Sequence, residues 1–313
     1  MSVMLEGAST PAQIAAFLTA LRMKGETSAE LTGFARAMRR FAKPFETGLP
    51  ADEPLIDTCG TGGDGPSTFN ISTIVAFVLA AAGVRVAKHG NRSISSQCGS
   101  ADLLEALGIR IDLTPEEAAR AIREIGIAFL FAPSYHAAMR HVQPVRRELK
   151  MRTVFNLLGP MANPAGASLQ VVGTTTRHNA GLIADALCAL GLHRGYVVFG
   201  LDGLDEVTTT TETVAFSIAE GRVTEQVLAP EDFGLCRAAL ADLAGGGATE
   251  NCEIARRILN GEVGPRREIV LANAALALLV AGKASKLRDG VCLAAELIDS
   301  GAARRKVEEL AAC

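Results

Sequence analysis

The sequence has no tryptophan, only 4% aromatic residues, and no excess of basic charge: its 313 residues carry a formal charge of −3. A protein that coats nucleic acid needs a basic face, and one that grips single strands needs stacking rings; the chain is poorly supplied with both. Long apolar runs are missing too. The longest are "IVAFVLAAAGV" (Ile74 to Val84) and "ANAALALLVAG" (Ala272 to Gly282), short of the ~20 residues that cross a bilayer, so no membrane partner is expected. The opening "MSVMLEGAST" lacks the basic and apolar regions of a signal peptide. The seven cysteines form no CxxC pair. An odd, unpatterned set fits reduced thiols in a cytoplasm, and Cys313 is given no role.

What is present is enough apolar residue, 49%, for one large domain or two modest ones. Residues 11 to 43 have helical periodicity. In "PAQIAAFLTALRMKG", Ile14, Phe17, Leu18 and Leu21 fall on one face before Gly25. Ser28 is read as the cap of the next helix. The proline-rich "PFETGLPADEP" is a candidate boundary. After it, short apolar runs alternate with helical ones: "PLIDTCG", "TFNISTIVAFVLAAAG", "VRVAKHG", "GSADLLEALG", "TPEEAARAIREIG" and "IAFLFAP". Strand and helix at this spacing predict a parallel α/β sheet. Thr114, Pro115 and Glu117 read as a capping box. Later come "LQVVGT", "NAGLIADALCALG" and "GYVVFG", then "TTTTETVAFSIAEG", expected to be extended, and a helical final stretch.

The densest signal is "LIDTCGTGGDGPSTFNIST", from Leu55 to Thr73. Gly60, Gly62, Gly63 and Gly65 surround Asp64, and Ser67, Thr68, Asn70, Ser72 and Thr73 follow. A strand, a glycine loop and a helix N-terminus together make an anion site. Glycine lets backbone N–H groups approach a ligand, and the helix end favours negative charge. A tight turn with Ser and Thr caps is the simpler alternative, although four glycines and five small polar residues exceed what a cap needs. Gly60, Gly62 and Gly65 also satisfy the spacing of a dinucleotide site. That site wants an acid at the end of the next strand, where this chain has Lys88, His89, Gly90, Asn91 and Arg92. A cationic cluster suits a second phosphate better than a ribose diol. The second loop, "KHGNRSISSQCGSAD", repeats the logic with Lys88, Arg92, Ser95, Ser96 and Ser100, the last read as a helix cap. Two such loops after consecutive strands predict one shared crevice.

The blocks "DTCGTGGDG…FNIST", "KHGNRSISSQCGSADLLEALG", "FAPSYHAAMRHVQPVRRELKMRTVFNLLGP", "GLDGLDEVT" and "GPRREIVLANAALALLVAGKA" resemble the anthranilate phosphoribosyltransferases in order along essentially the whole chain. These enzymes join anthranilate to phosphoribosyl diphosphate (PRPP) in tryptophan biosynthesis. The glycine block alone is shared with class II nucleoside phosphorylases, an alternative function; a phosphoribosyltransferase for another aromatic substrate is a second. The resemblance implies a small helical domain, residues 1–50 rejoined by about 134–158, and a large α/β domain, residues 54–313, in a cytoplasmic homodimer that uses Mg2+. It places PRPP contacts on Gly60, Gly63, Asp64, Thr68, Asn70, Ile71, Ser72, Thr73, Lys88, His89, Gly90, Asn91, Arg92, Ser93, Ile94, Ser95, Ser96 and Ser100. It places anthranilate contacts on Gly60, Asn91 and Arg146, and magnesium contacts on Ser72, Asp205 and Glu206.

Physical chemistry agrees at several of these positions. Magnesium keeps several waters and accepts one or two carboxylates with substrate phosphates, so adjacent Asp205 and Glu206 suffice, although an acidic pair also reads as a solvated turn. A guanidinium at Arg146 suits a carboxylate in a bidentate fork; Arg147 reads as surface charge. His136, His141, His178 and His193 read as structural or exposed, and His89 as lining the site. An aromatic amine is an uncharged nucleophile at neutral pH, so neither a general base nor a covalent nucleophile is assigned. The chain departs from the family in its shorter start, which puts the dimer contact in question. It also departs at Phe199, Ala137 and the run "TTTTETV", where the family often has His, Pro and a Gly-Pro-Thr; none of these is a PRPP or metal position.

Overall fold

The computed structural model describes residues 1–50, 52–63, 68–93 and 97–313. Three helices open the chain: α1 (Ser2–Leu5), α2 (Pro11–Lys24) and α3 (Ser28–Phe41). The first α/β stretch follows as β1 (Leu55–Asp57), α4 (Ile71–Ala81), β2 (Arg85–Gly90), α5 (Ser100–Ala106), α6 (Pro115–Glu124) and β3 (Ile127–Phe131). Short helices α7 (Ala132–Tyr135), α8 (Gln143–Leu149) and α9 (Phe155–Leu158) return the chain toward its beginning. Next come β4 (Leu169–Gly173), α10 (Arg177–Ala189), β5 (Arg194–Gly200), β6 (Thr213–Ala219) and β7 (Arg222–Leu228). Helices α11 (Ala248–Leu259), α12 (Pro265–Val280), α13 (Leu287–Asp299) and α14 (Ala302–Ala311) complete it.

The seven strands form one sheet in the order β3-β2-β1-β4-β5-β6-β7. The first five are mutually parallel, and β6 and β7 add an antiparallel edge. A two-residue turn with positive φ at Glu220 and Gly221 joins β6 to β7, the twist a tight hairpin needs. Strand β1 is central: the chain proceeds to β2 and β3 on one side, then returns to β4 and β5 on the other. That reversal opens a crevice at the carboxyl ends of β1 and β4.

Alternation along the strands divides the core. Val171, Val198 and Ala215 face one layer, with α4, α5 and α11 to α14. Their neighbours Val172, Val197 and Ile218 face the other. There they meet α10, the opening helices through Met4, Ile14, Leu18, Leu31 and Met38, and the returning segment through Val142, Val145, Phe155 and Met161. The N-terminal helices therefore complete their core only with residues far along the chain.

Several local expectations need correction. Thr27, not Ser28, caps α3; its hydroxyl accepts from the Glu30 N–H while Glu30 reaches back to the Thr27 N–H. Phe17 lies at the edge of its helix face, 38% exposed, edge-on to Phe34. The threonine run is not extended at its start, because β6 begins only at Thr213. The hydroxyls of Thr208 and Thr210 turn instead onto the Asp202 carboxylate.

Candidate active site

Loops at the carboxyl ends of β1, β4 and β5 converge on one cavity, whose lining includes Thr58, Gly60, Ser72, Gly173, Asp205 and Glu206. All three expected metal contacts, Ser72, Asp205 and Glu206, are therefore in one place. Gly173 permits this. A Cβ on it would lie 1.5 Å from the Asp205 carbonyl oxygen, so only glycine lets the acid-bearing loop cross the end of β4. Asp205 Oδ2 accepts the Gly62 N–H at 3.0 Å and thereby also fixes the glycine loop.

The loop after β1 is held by other segments of the chain. Thr61 N–H donates to the Gly173 carbonyl at 2.8 Å, and its hydroxyl meets that of Thr174. Arg152, from the returning segment, donates to the carbonyls of Gly62 (3.1 Å) and Gly63 (3.2 Å). Gly63 has φ +81°, a backbone conformation that favours glycine, and a Cβ there would displace the Arg152 guanidinium. Thr68 bridges to Ala244. Asn70 donates to the Cys98 carbonyl and accepts from Asn251, tying the first loop to the second. Ile71 begins α4 and is buried; Thr73 is buried, and its hydroxyl has no partner among the described residues. Asp64 lies outside the described residues, as do Gly65 and Ser67.

The loop after β2 is held by the helix that follows it. Asp102 Oδ2 accepts the N–H groups of Gly99 (2.8 Å) and Ser93 (3.1 Å). Ser100 is not a cap: Gly99 takes that position, and the Ser100 hydroxyl donates to the Asn91 carbonyl. Gly90 is favoured by close approach, since a Cβ there would lie 2.6 Å from the ring of buried Phe129. Arg92 pairs with Asp102 and Glu105 and lies against the Phe131 ring. Asn91 is exposed, its side chain accepting from the Arg92 N–H. Ile94, Ser95 and Ser96 lie outside the described residues.

Lys88 does not extend into the crevice. Its ammonium is buried and donates to the Thr58 carbonyl (3.1 Å), the Thr58 hydroxyl (3.3 Å) and the Ser72 hydroxyl (3.4 Å). Its charge thus acts from beneath the floor, polarising the two hydroxyls above it. Below lies Asp57, fully buried, which accepts from the His89 N–H and from Asn163 Nδ2. Burial raises the Asp57 pKa to about 6, against the pull of Lys88 and these donors. Burial, reinforced by Asp57, also pushes the Cys59 thiol well up, so it offers no thiolate nucleophile.

His89 is buried, and its Nδ1 lies 3.2 Å from the Gly159 carbonyl, which assigns the proton to Nδ1. Its ring meets that of His136 edge-on at 5.3 Å. Burial first, then the neighbouring His136, depresses the His89 pKa to about 3, so the ring is a neutral imidazole. Arg146 sits in the middle of α8 rather than at its start. It is half-buried, lies 5.2 Å from the Phe155 ring centre, and donates to Gln143. Among the described residues no carboxylate pairs with it. Arg147 is exposed.

Among the described residues no cluster of three or more His, Cys, Asp and Glu could enclose a metal ion. The oxygen set of Asp205, Glu206 and the Ser72 hydroxyl still fits magnesium, which accepts two carboxylates and takes its remaining ligands from phosphate and water. A zinc-type cage would not fit. Sequence reasoning missed Asp57, Arg152, Asn163 and Asp102, which hold the site from behind.

Comparison with known proteins agrees with this architecture. Residues 52–304 match the family model described as glycosyl transferase family, a/b domain, and residues 1–42 match its helical bundle domain. The chain is 59% identical over 311 residues to a curated anthranilate phosphoribosyltransferase of Solibacter usitatus, covering 99% of this chain and 91% of that one. It superposes with a TM-score of 0.93 on the crystal structure of anthranilate phosphoribosyltransferase from Thermus thermophilus, 46% identical, covering 99% and 92%. The enzyme from Saccharomyces cerevisiae in complex with PRPP and Mg gives a TM-score of 0.88 at 30% identity, covering 96% and 84%.

Proposed function

The chain belongs to the anthranilate phosphoribosyltransferase family, and from that premise we infer that it transfers the phosphoribosyl group of PRPP to the amine of anthranilate. The products are diphosphate and N-(5-phosphoribosyl)anthranilate, a step of tryptophan biosynthesis. The observation that carries this reading is the single cavity at the sheet's reversal point, where Ser72 and the Asp205–Glu206 pair meet beneath a glycine loop. In this reaction the C1–N bond forms as the bond from C1 to the diphosphate oxygen breaks, and the amine proton is lost to solvent. Charge develops on the departing diphosphate and on an oxocarbenium-like C1.

Asp205, Glu206 and Ser72 would hold a magnesium ion, which when bound neutralises charge on the diphosphate. The glycine loop and the loop after β2 present backbone N–H groups and hydroxyls to the phosphates of PRPP, in the arrangement that stabilises developing negative charge. Thr58 and Ser72 carry the influence of buried Lys88. Arg146, a desolvated guanidinium with no carboxylate partner among the described residues, receives the carboxylate of anthranilate, and Asn91 and Gly60 border the acceptor. The protein's task is to place the amine against C1; the depressed thiolate character of Cys59 and the absence of any need for a base leave no covalent step.

We further propose that residues 1–50 with about 134–158 act as the helical unit and 54–313 as the transfer unit, and that two copies of the chain associate through the helical unit. Val3, Phe17 and Met23 are exposed on it, and apolar side chains of this size suit a contact between copies. The seven cysteines form no disulfide among the described residues, which suits a cytoplasmic setting. No helix among the described residues is long and apolar enough to cross a membrane. The test of function is to incubate the protein with PRPP, magnesium and anthranilate and follow anthranilate fluorescence. Loss of signal that requires all three is expected. Intact PRPP binding without loss of signal would overturn anthranilate as the acceptor.

A further inference from the structure

Asn273 stands in the middle of α12 among apolar residues and is 3% exposed. Its side chain makes three hydrogen bonds. Oδ1 accepts the Val207 N–H at 2.9 Å, and Nδ2 donates to the Val207 carbonyl at 2.9 Å and the Ile269 carbonyl at 2.8 Å. The orientation of the amide follows from these partners, since an N–H needs an acceptor and the two carbonyls need donors. Two of the three bonds grasp both polar groups of one loop residue, and that residue directly follows Asp205 and Glu206.

The other end of the acid pair is equally constrained. Gly200 N–H donates to the Leu204 carbonyl at 2.9 Å, and Leu204 N–H donates to Asp202 Oδ1 at 3.1 Å. Leu204 and Val207 are both fully buried. Between these two anchors the chain holds only Asp205 and Glu206, so it has no slack in which to absorb a displacement. Asn273 itself lines the cavity the acids line. An amide that served only to satisfy its own helix would bond to Ile269 and stop; this one leaves the helix to hold a loop.

We propose that Asn273 is a positioning residue that sets where the Asp205 and Glu206 carboxylates stand toward the divalent cation, an inference that rests on the metal reading given above. Groups that orient metal ligands from behind typically change metal affinity about 10- to 100-fold when removed. The experiment replaces Asn273→Leu, which keeps the branching at Cγ and removes all three bonds, with the smaller Asn273→Ala as the second variant should the first not fold. Manganese binding is measured by water-proton relaxation with PRPP present and anthranilate absent, so that no turnover occurs. Exchange of the Val207 amide hydrogen is followed in parallel. The expected result is manganese affinity weaker by about tenfold or more, faster Val207 exchange, a raised KM for PRPP and an anthranilate KM within about twofold of the unaltered chain. Manganese held equally by variant and unaltered chain, with Val207 exchange accelerated, overturns the inference and leaves Asn273 a core amide. No manganese bound by the unaltered chain overturns the metal reading, and this inference with it.

Discussion

The loops that follow β1 and β2 are built on neighbouring parallel strands, yet they are held in opposite ways. The loop after β1 is fixed from afar: by Arg152 of the returning segment, by Asp205 beyond β5, and by Gly173 and Thr174 at the end of β4. The loop after β2 is fixed mainly from within its own neighbourhood, by Asp102 and Glu105 of the helix it leads into. A locally braced loop keeps its shape whatever the rest of the molecule does. A remotely braced one reports on whether three other segments are in place, which suits a loop that must be correct only when the whole site is assembled.

The hardest break of this contrast is at Asp205, which serves both the cation position and the first loop. Asp205→Asn with Glu206→Gln should reduce kcat/KM by about a thousandfold or more, since a cation's charge stabilisation amounts to several kcal/mol; steady-state rates at saturating magnesium check it, and full activity would move the metal elsewhere. Asp57 lies under both loops, and its titration sharpens the comparison. Its pKa is near 6 when folded against an ordinary 3.8. Between those values the folded chain holds a proton that the unfolded chain has lost. Stability from this group is therefore full below about pH 4, falls as pH rises to 6, and stays low above. The advantage of the wild type over Asp57→Asn should shrink by about 3 kcal/mol across that window, measured by denaturant unfolding at several pH values. An advantage that grows with pH would contradict the buried-acid account.

Arg146 and Arg152 of the returning segment have different tasks, and separating them tests the division of labour. Arg146→Ala should raise the anthranilate KM about 10- to 100-fold, the range for loss of charge-assisted hydrogen bonds, with PRPP binding nearly intact; equal weakening of both substrates would contradict the assignment. Arg152→Ala, by contrast, should raise the PRPP KM about tenfold through loss of two bonds to the first loop. Smallest is Asp102→Asn, which keeps an acceptor oxygen for the second loop and weakens a half-exposed ion pair worth under about 1 kcal/mol. Amide exchange should quicken at Ser93 and Gly99 and not at Gly62. Equal quickening in both loops would remove the distinction between them.

Much of this was legible from residue order. Alternating strands and helices, the Thr114 capping box and the glycine-dense turn rest on local rules, and those rules act over a few residues. What residue order did not show is which side chain claims which partner. The threonines from Thr208 onward have strand-forming side chains, but a carboxylate at Asp202 recruits their hydroxyls and curls the backbone. Ser100 has a capping side chain, yet Asp102 does the capping from inside the helix. Lys88 and Arg92 are both cations after a strand, and residue order alone does not say what braces each of them. In the fold, one is drawn beneath the floor and the other is taken by two acids. Asn163 and Arg152 were invisible because each meets partners on strands or loops far away in sequence.

The shared core of the opening helices and the returning segment has a consequence for synthesis of the chain. On the ribosome, Met4, Ile14, Leu18 and Leu31 emerge long before Val142, Phe155 and Ile183 exist to cover them. Those helices wait with apolar faces uncovered while the first strands are made, which is when a nascent chain is most prone to aggregate. Helices α2 and α3 are therefore among the last parts of the molecule to become native.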